Sequence, residues 1–419
     1  MDILVIGGGG REHAIVKKLG QSRGVGTIYC APGNGGISKD AVCVDIKATD
    51  VEGAVKFAKD KGIGFVVVTP DDPLSLGMVD ALERAGIKAF GPNAKAAQIE
   101  SSKVFAKGLM KKYGIPTAEY EVFDKPQDAL SYIKSRGSYP AVIKADGLAL
   151  GKGVVIAADY EQAKAAVHSI MEDRIFGASG NRVVVEEFLT GPEVSVLAFT
   201  DSKTLVPMVS SKDHKRAYDG DKGPNTGGMG TISPNPFYTD AIADECMRTI
   251  FLPTMHAMNS EGRPFKGCLY FGLMLTPDGP KVIEYNSRFG DPETQVVIPR
   301  LKSDLLEIFT AVADERLGEL DIEWDNRCAA CVVAASGGYP GSYRKGVEIT
   351  GLDKAEALGG VTVYHAGTAL RAGRYYTNGG RVLGVTALGD KLGEALDRAY
   401  EGVKLIHFDG MQYRRDIGR

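Results

Sequence analysis

The chain has 419 residues, 44% of them hydrophobic, with 53 glycines and a formal net charge of -3. That length predicts two to four compact units with ample core material. The charge excludes the basic footprint of a nucleic-acid binder, and no apolar stretch reaches the length that a bilayer crossing needs. Asp2-Ile-Leu-Val-Ile6 begins a strand at once, so no signal peptide and a cytoplasmic location are expected.

In the first hundred residues strands are predicted at 3–6, 27–30, 65–69 and 88–90, and helices at 12–20, 51–61 and 75–85. Such alternation predicts a parallel sheet with helices on both faces. The first turn, Gly7-Gly-Gly-Gly10-Arg11-Glu12-His13, leads a strand into a helix and offers backbone N–H groups to an anion. It is not a dinucleotide fingerprint. Counted from Gly7 or from Gly8, the third glycine of Gly-x-Gly-x-x-Gly falls on Glu12 or His13. The second strand ends in Ala31-Pro32-Gly33-Asn34 where an acidic residue for a ribose is expected. The turn therefore suits a single phosphate or a phosphosugar. Pro70-Asp71-Asp72-Pro73 falls at the same carboxyl edge of the sheet.

Ser101-Ser102-Lys103 opens an amphipathic helix to about 113, and Gly114-Ile-Pro116 stops it. A strand near 118–123 and a helix at 126–136 follow. Ala141-Val-Ile-Lys144 is a strand ending in lysine, followed by Asp146-Gly147-Leu-Ala-Leu-Gly151-Lys152-Gly153 and a further strand at 154–156. A Walker loop needs four residues between its glycines, then Lys-Ser/Thr and a helix. Here three residues separate Gly147 from Gly151, and a strand comes next. A glycine-rich hairpin between two lysines reads as a flap over a triphosphate. The strand Arg182–Leu189 runs into Glu186-Glu187-Phe188-Leu189, whose edge can offer backbone groups to an adenine and a carboxylate to a ribose.

A strand at 204–210 leads into the polar, glycine-rich stretch 211–230, predicted as one long functional loop. A helix at 238–259, a strand at 267–276 and the apolar run Pro280–Ile283 precede the densest chemistry in the chain, Glu284-Tyr-Asn286-Ser-Arg288-Phe-Gly-Asp291-Pro-Glu293-Thr-Gln-Val296. Residues two apart on a strand share a face. Glu284 and Asn286 thus send two oxygens to one side, which suits a hard cation such as Mg2+. Arg288 continues that face and can grip a carboxylate or phosphate in bidentate fashion.

After a helix at 303–317 the character changes. Strands near 328–335, 361–365 and 381–387 and a helix at 391–405 predict a small α+β unit without a catalytic cluster. Six cysteines, at 30, 43, 246, 268, 328 and 331, make no disulfide framework in a chain this long. Cys328 and Cys331 have metal or redox spacing, but no second pair accompanies them, and core positions are expected.

With these residues in view, the chain resembles the glycinamide ribonucleotide synthetase (phosphoribosylamine–glycine ligase) family of the ATP-grasp superfamily. Arg288-Phe-Gly-Asp-Pro-Glu-Thr-Gln-Val296 matches that family's nonapeptide in full, and Gly7–His13, Ala31–Asn34, Lys144–Gly153, Asp213–Lys215, Gly223–Gly230, Gly379–Ala387 and Arg414–Gly418 are similar to its blocks in order. One block departs: where the family usually reads Gly-Pro-Glu-x-Pro-Leu, this chain has Thr69-Pro70-Asp71-Asp72-Pro73-Leu74, a carboxylate one methylene shorter.

The resemblance implies an N-terminal parallel-sheet unit at 1–102 for phosphoribosylamine, an ATP-grasp unit at 103–326 with a flap at about 120–191, and an α+β unit at 327–419. It implies ligation of glycine to 5-phosphoribosylamine with ATP through glycyl phosphate. Glu284 and Asn286 are expected to hold Mg2+ or Mn2+. Lys103 and Lys144 are expected on the phosphates under Gly147, Gly151, Lys152 and Gly153, and Glu186, Glu187, Phe188 and Leu189 at the adenine, with Glu193 on the ribose. Arg288, Asp213, Lys215 and the Thr226-Gly227-Gly228 backbone are expected to place glycine and the transferring phosphoryl group. Asp291 would fix the loop or the substrate amine. Gly9, Gly10, Arg11, Asn34 and Asp71 are expected around the phosphoribosylamine. Partners are small molecules alone, with no nucleic acid or membrane, and a monomer is expected. The alternatives are another ATP-grasp carboxylate–amine ligase, which glycine-dependent ADP release would distinguish, and a non-catalytic nucleotide-binding regulator, which would need a degraded metal pair.

Overall fold

The computed structural model describes residues 1–148 and 153–419. Gly151 and Lys152 of the expected flap therefore lie outside the described residues.

The central N-terminal strands, Ile3–Gly7 and Phe65–Val68, are buried on both faces, as a parallel sheet between helices requires. Five strands pair in parallel in the order Val42–Cys43, Ile28–Pro32, Ile3–Gly7, Phe65–Val68, Ala89–Phe90. Along the first strand Ile3 and Val5 join one apolar cluster and Leu4 and Ile6 another, as a period of two dictates. The cluster beneath Ile3 and Val5 continues without a break into Phe199, Tyr270, Phe289 and Phe309, so this sheet is welded to the unit that follows it. The chain order reverses direction at the first strand, which places a crevice outside its carboxyl end, at Gly7.

The expected helix at 75–85 is two short ones, Asp71–Ser75 and Met78–Arg84. Gly77, at φ +79°, breaks the run. Asp71 and Asp72 thereby lie in the first turn of a helix instead of an open loop. A helix at Ala94–Ser101, not expected from the sequence, precedes Lys103–Tyr113, and Ser102 caps the latter by accepting from Phe105 N.

Two four-stranded antiparallel sheets follow. One is Tyr120–Phe123, Val183–Glu187, Ala141–Ala145, Val154–Ala157; the other is Leu205–Pro207, Glu193–Asp201, Lys266–Thr276, Gly279–Asn286. The first carries its own small core of Ile143, Ala145, Val167, Val183 and Val185. The expected long helix at 238–259 is one run with a π-helical turn at Met247–Phe251.

The stretch 211–230 is not structureless. Lys212–Asp213 pairs with Gly230–Ser233, and Arg216–Tyr218 pairs with Lys222–Asn225 as a hairpin. Gly230–Ser233 in turn pairs with Cys328–Ala335, followed by Arg381–Gly389 and Val361–His365 in one five-stranded sheet. The C-terminal residues thus share a sheet with the stretch expected to hold substrate. The helix Leu392–Leu405 packs over this sheet. Three short strands, Glu348–Ile349, Thr368–Arg371 and Arg374–Thr377, form a further small sheet. In the strand Cys328–Ala335 of the five-stranded sheet Cys331 is buried as expected, whereas Cys328 is only partly buried, and all six thiols are free.

Candidate active site

The Gly7–His13 turn sits at the carboxyl end of the first strand, with Gly9 capping the helix Gly10–Leu19. The Gly9 amide donates to Glu12 Oε2 at 2.6 Å. A Cβ on Gly9 would lie 2.9 Å from Glu12 Oε2 and 3.3 Å from Asp291 Oδ2, so glycine lets the nonapeptide close on this turn. Arg11 is buried and turns inward, donating from Nε to Glu12 Oε1 at 2.6 Å and from Nη1 to Phe289 O at 2.9 Å. Asn34 is fully engaged. Its Nδ2 donates to Gly8 O and His365 O, and its Oδ1 accepts from the amides of Gly36 and Ile37. Its side chain has no hydrogen-bonding capacity left for a ribose and acts as a tie between loops. Thr69, at the start of the block that departs from the family pattern, places its hydroxyl 2.6 Å from Ile6 O and 2.7 Å from Glu12 Oε1.

Arg288 is the centre of the second cluster. Its Nη2 lies 3.0 Å from Glu100 Oε1 and donates to Asn286 Oδ1 at 3.3 Å, while its buried Nε has no partner among the described residues. Glu100 comes from the unexpected helix. It also accepts from Ser287 N and Ser287 Oγ at 2.8 Å each, which fixes the nonapeptide's start. Burial pushes the Glu100 carboxyl up against the opposing pull of Arg288. Asp71 lies close enough to Arg288 and Glu100 to act on both charges.

Beside Arg288 the strand Gly279–Asn286 presents Glu284. Burial pushes the Glu284 carboxyl up, but Lys215, Lys144, Lys103 and Arg288 outweigh it and hold it below its ordinary value. Lys215 Nζ stands 3.3 Å from Glu193 Oε2 and 3.7 Å from Glu284 Oε1. Burial, then the Glu293 carboxylate, raise Asp213 well above the usual carboxylate range. Glu293 is buried and accepts from Tyr270 OH at 3.1 Å and Ser195 Oγ at 3.3 Å. Gly228, at φ +113°, leaves no room for a side chain, since a Cβ would lie 2.4 Å from Pro292 Cδ and 2.6 Å from Asp213 Oδ1.

The third cluster lies between the two antiparallel sheets. Glu186 Oε2 is 3.0 Å from both Lys107 Nζ and Lys144 Nζ, and all three side chains are buried. The other oxygen, Glu186 Oε1, has no partner among the described residues. Lys144 also donates to Ile283 O at 3.1 Å, and Lys103 donates to Gly147 O at 2.8 Å. Burial lowers the Lys107 ammonium to about 8. The cleft is therefore lined by three lysines around the Glu186 carboxylate, one oxygen of which faces no donor among the described residues.

Comparison with known proteins places this geometry. Models described as the N domain, the ATP-grasp (A) domain and the C domain of phosphoribosylglycinamide synthetase match residues 1–100, 101–294 and 329–419. The chain belongs to the phosphoribosylglycinamide synthetase family. A phosphoribosylamine–glycine ligase of Caldanaerobacter subterraneus subsp. tengcongensis is 50% identical over 417 residues, covering 100% of this chain and 99% of that protein. The trifunctional purine biosynthetic protein adenosine-3 of Gallus gallus is 51% identical over 423 residues, covering 99% of this chain and 42% of that longer protein. The crystal structure of the phosphoribosylamine–glycine ligase of Thermotoga maritima superposes with a TM-score of 0.85 at 34% identity, with full coverage of both chains. As a member of this synthetase family the chain is an ATP-grasp ligase that uses ATP and a divalent metal on small-molecule substrates. No helix among the described residues is long and apolar enough to cross a membrane.

Within the synthetase frame, the structure brings Arg288, Asp213, Lys215, Glu284, Asn286 and Asp291 to one region and Lys103, Lys144 and Glu186 to the adjoining cleft. Phe188 is largely exposed at the end of the strand Val183–Glu187. Glu187 Oε1 lies 3.6 Å from Lys281 Nζ and accepts from Glu119 N, outside that cleft's polar cluster. Sequence reasoning passed over Lys107, Glu100, Glu293, Tyr339 and Arg381. Lys107 lies on a helix that reads as ordinary amphipathic surface, and Glu100 on a helix that the sequence pattern does not announce. Glu293 lies inside the nonapeptide, where its charge is as visible in the sequence as that of Asp291.

Proposed function

We propose that the chain joins glycine to 5-phosphoribosylamine with ATP, giving glycinamide ribonucleotide, ADP and phosphate for purine biosynthesis. The observation that carries this is the half-buried Arg288 beside Glu284, Asn286 and Lys215, with a buried Nε that awaits an acceptor. A carboxylate that must be phosphorylated meets a guanidinium here, next to a cleft built for a triphosphate.

Both attacking groups come from substrates. Glycine's carboxylate attacks the γ-phosphate to form glycyl phosphate, and the amine nitrogen then displaces phosphate from it. The protein's part is alignment and charge stabilisation, worth roughly 7–11 kcal/mol of barrier from positioning alone. Glu186 Oε1 fits the amino hydrogen of an adenine, the donor that its buried position lacks. Lys103 and Lys144 neutralise phosphate oxygens beneath the Gly147–Gly153 flap, which excludes water from the acyl phosphate. Glu193 takes a ribose hydroxyl. Glu284 and Asn286 offer two oxygens that would hold a hard divalent cation, Mg2+ or Mn2+, and such a cation would supply neutralising charge to the triphosphate. Arg288, Asp213, Lys215 and Thr226–Gly228 hold glycine. An ammonium arriving beside Asp213 and Glu293 would relieve the carboxylate repulsion there. The helix N-terminus at Gly9–Arg11, with Asn34 fixing the loop beside it and Asp71 across from it, accommodates the phosphoribosylamine.

The work divides as residues 1–102 for the amine, 103–326 for ATP and glycine with a flap at 120–191, and 327–419 closing the site. The same reading takes the protein as a cytoplasmic monomer. The test is ADP release by the purified chain with ATP and Mg2+, with phosphoribosylamine generated in place from ribose 5-phosphate and ammonia. Release that needs both glycine and the amine is expected. Release without a glycine requirement would assign a different acid to the 211–230 stretch.

A further inference from the structure

Two side chains of the C-terminal unit reach the site, Arg381 from a strand and Tyr339 from the turn that follows Cys328–Ala335. The strand Arg381–Gly389 pairs with Cys328–Ala335, but its register shifts: Ala334 faces Leu383 and Ala335 faces Arg381, leaving Val382 unopposed. A bulge of this kind bends a strand and re-aims a side chain. Arg381 Nη1 donates to Gly227 O at 2.6 Å and to Asp291 O at 2.7 Å, and Nη2 lies 3.4 Å from Asp291 Oδ2. From the other side the Gly227 amide donates to Tyr339 OH at 3.0 Å. The Tyr339 ring packs against Gly380, where a Cβ would sit 2.2 Å from its Cδ2. Its carbonyl is held by Gln412 Nε2 at 2.8 Å.

One residue, Gly227, is thus gripped at its N–H by Tyr339 and at its C=O by Arg381. The same guanidinium grips Asp291 in the nonapeptide. Gly228, the next residue, is in contact with Pro292 and Asp213, so a displacement of Gly227 reaches the Asp213 carboxylate. Only a guanidinium has the fork of donors to bridge two carbonyls and a carboxylate from one stem.

We propose that Arg381 and Tyr339 are positioning residues for the carboxylate substrate: together they set the distance between the Thr226–Gly228 loop and Asp291, and so the seat of glycine. The inference rests on the reading that this loop holds glycine. The same reading puts ATP in the cleft at Lys103, Lys144 and Glu186, away from the contacts of Arg381 and Tyr339, so its affinity is expected to be independent of the clamp.

The test measures kcat and the KM values for glycine and ATP in Arg381→Lys, Arg381→Gln, Tyr339→Phe and, as a direct probe of the loop, Thr226→Ala. Tyr339→Phe removes a single hydroxyl and keeps the ring on Gly380, so it retains the fold. Arg381→Lys and Arg381→Gln are expected to raise the glycine KM by roughly 10- to 100-fold, and Tyr339→Phe by roughly 3- to 10-fold, for the hydrogen bonds each loses. The ATP KM stays within about twofold, because no clamp contact reaches that cleft. Wild-type glycine KM in Arg381→Lys, or an equal rise for ATP in Tyr339→Phe, would overturn the clamp. If Thr226→Ala raises the glycine KM and the clamp variants do not, the inference fails and the loop assignment stands. If Thr226→Ala also leaves it unchanged, the loop assignment itself fails.

Discussion

At the scale of single residues, the charges in the site are held by opposites and not by solvent. Glu186 between Lys107 and Lys144 is the plainest case, since all three are buried. Removing the shared carboxylate strands two ammonium groups, so Glu186→Ala is expected to cost about 3–5 kcal/mol, read as a shift in the urea midpoint. Lys144→Met leaves the Lys107–Glu186 pair intact and is expected to cost far less stability while sharply weakening ATP binding by calorimetry. Unchanged nucleotide affinity would move the phosphate site elsewhere. His214 gives the matching test in pH. Its Nδ1 faces Gly230 O and its Nε2 accepts from Gly418 N, which requires the neutral ring. Burial lowers it from 6.5 to about 4. Between those values the unfolded chain binds the extra proton, so the contribution is complete above pH 6.5 and is lost as pH falls toward 4. The full effect is ~3 kcal/mol, and ~2 kcal/mol of it is gone by pH 5. His214→Gln is expected to flatten the stability difference between pH 7 and pH 5, and an unaltered slope would show that another group governs it. Glu284, Asn286 and Arg288 were legible because two-residue alternation of charged groups at a strand's end has few structural explanations. Arg381 and Tyr339 were not, because a lone arginine and a lone tyrosine in a β-rich stretch carry no pattern until a bulge and a distant loop bring them to Gly227.

At the scale of elements, legibility followed the range of the interactions. Helices such as Val51–Lys61 and Pro126–Arg136 matched expectation because their caps and stops are local, with Asp50 accepting from Gly53 N and Gly62 and Gly137 in the left-handed region. The hairpin Arg216–Tyr218 with Lys222–Asn225 read as loop because its residues are polar, and because what holds it comes from the far end of the chain. Arg414, fully buried, donates to Asp221 Oδ1 at 2.7 Å and pairs with Asp416, which accepts from Gly220 N. The tail then closes on Tyr400, whose hydroxyl accepts from Ile417 N at 3.0 Å. Asp221 is mostly exposed, which discounts its ion pair. Arg414→Ala is therefore expected to cost about 1–2 kcal/mol, mainly through unmade hydrogen bonds around the hairpin. The hairpin leads straight into Thr226, so faster backbone exchange at 216–225 is expected together with a weaker hold on glycine. Exchange that stays at the wild-type rate would mean that the hairpin stands without the tail.

At the scale of the molecule, the parts differ in how they are joined. The N-terminal sheet shares an apolar cluster with the central unit, and the C-terminal sheet includes strands from 212–233, so these pieces are expected to unfold together. The sheet built from Tyr120–Phe123, Val183–Glu187, Ala141–Ala145 and Val154–Ala157 keeps the apolar side chains of one face, Ile143, Ala145, Val183 and Val185 among them, in a separate cluster. Its named links to the rest are polar: Lys107 with Glu186, Lys144 with Ile283 O, Lys103 with Gly147 O, Val104 N with Asp146, and Lys281 with Glu187. Few buried apolar contacts across a junction mark a segment that opens at low free energy. Most of those links belong to groups assigned to ATP, so nucleotide is the missing half of the junction. A non-hydrolysable ATP analogue at about 100 times its dissociation constant adds up to ~2.7 kcal/mol to any opening that releases it, which slows amide exchange by up to about 100-fold. That slowing is expected in Ala141–Ala145 and Val183–Glu187 and not in Ile3–Gly7, where the apolar weld already sets the protection. Equal slowing in all three strands would mean that this sheet opens only with the whole protein. Slowing confined to Ile3–Gly7 would place the nucleotide at the glycine turn and remove the triphosphate from beneath the flap.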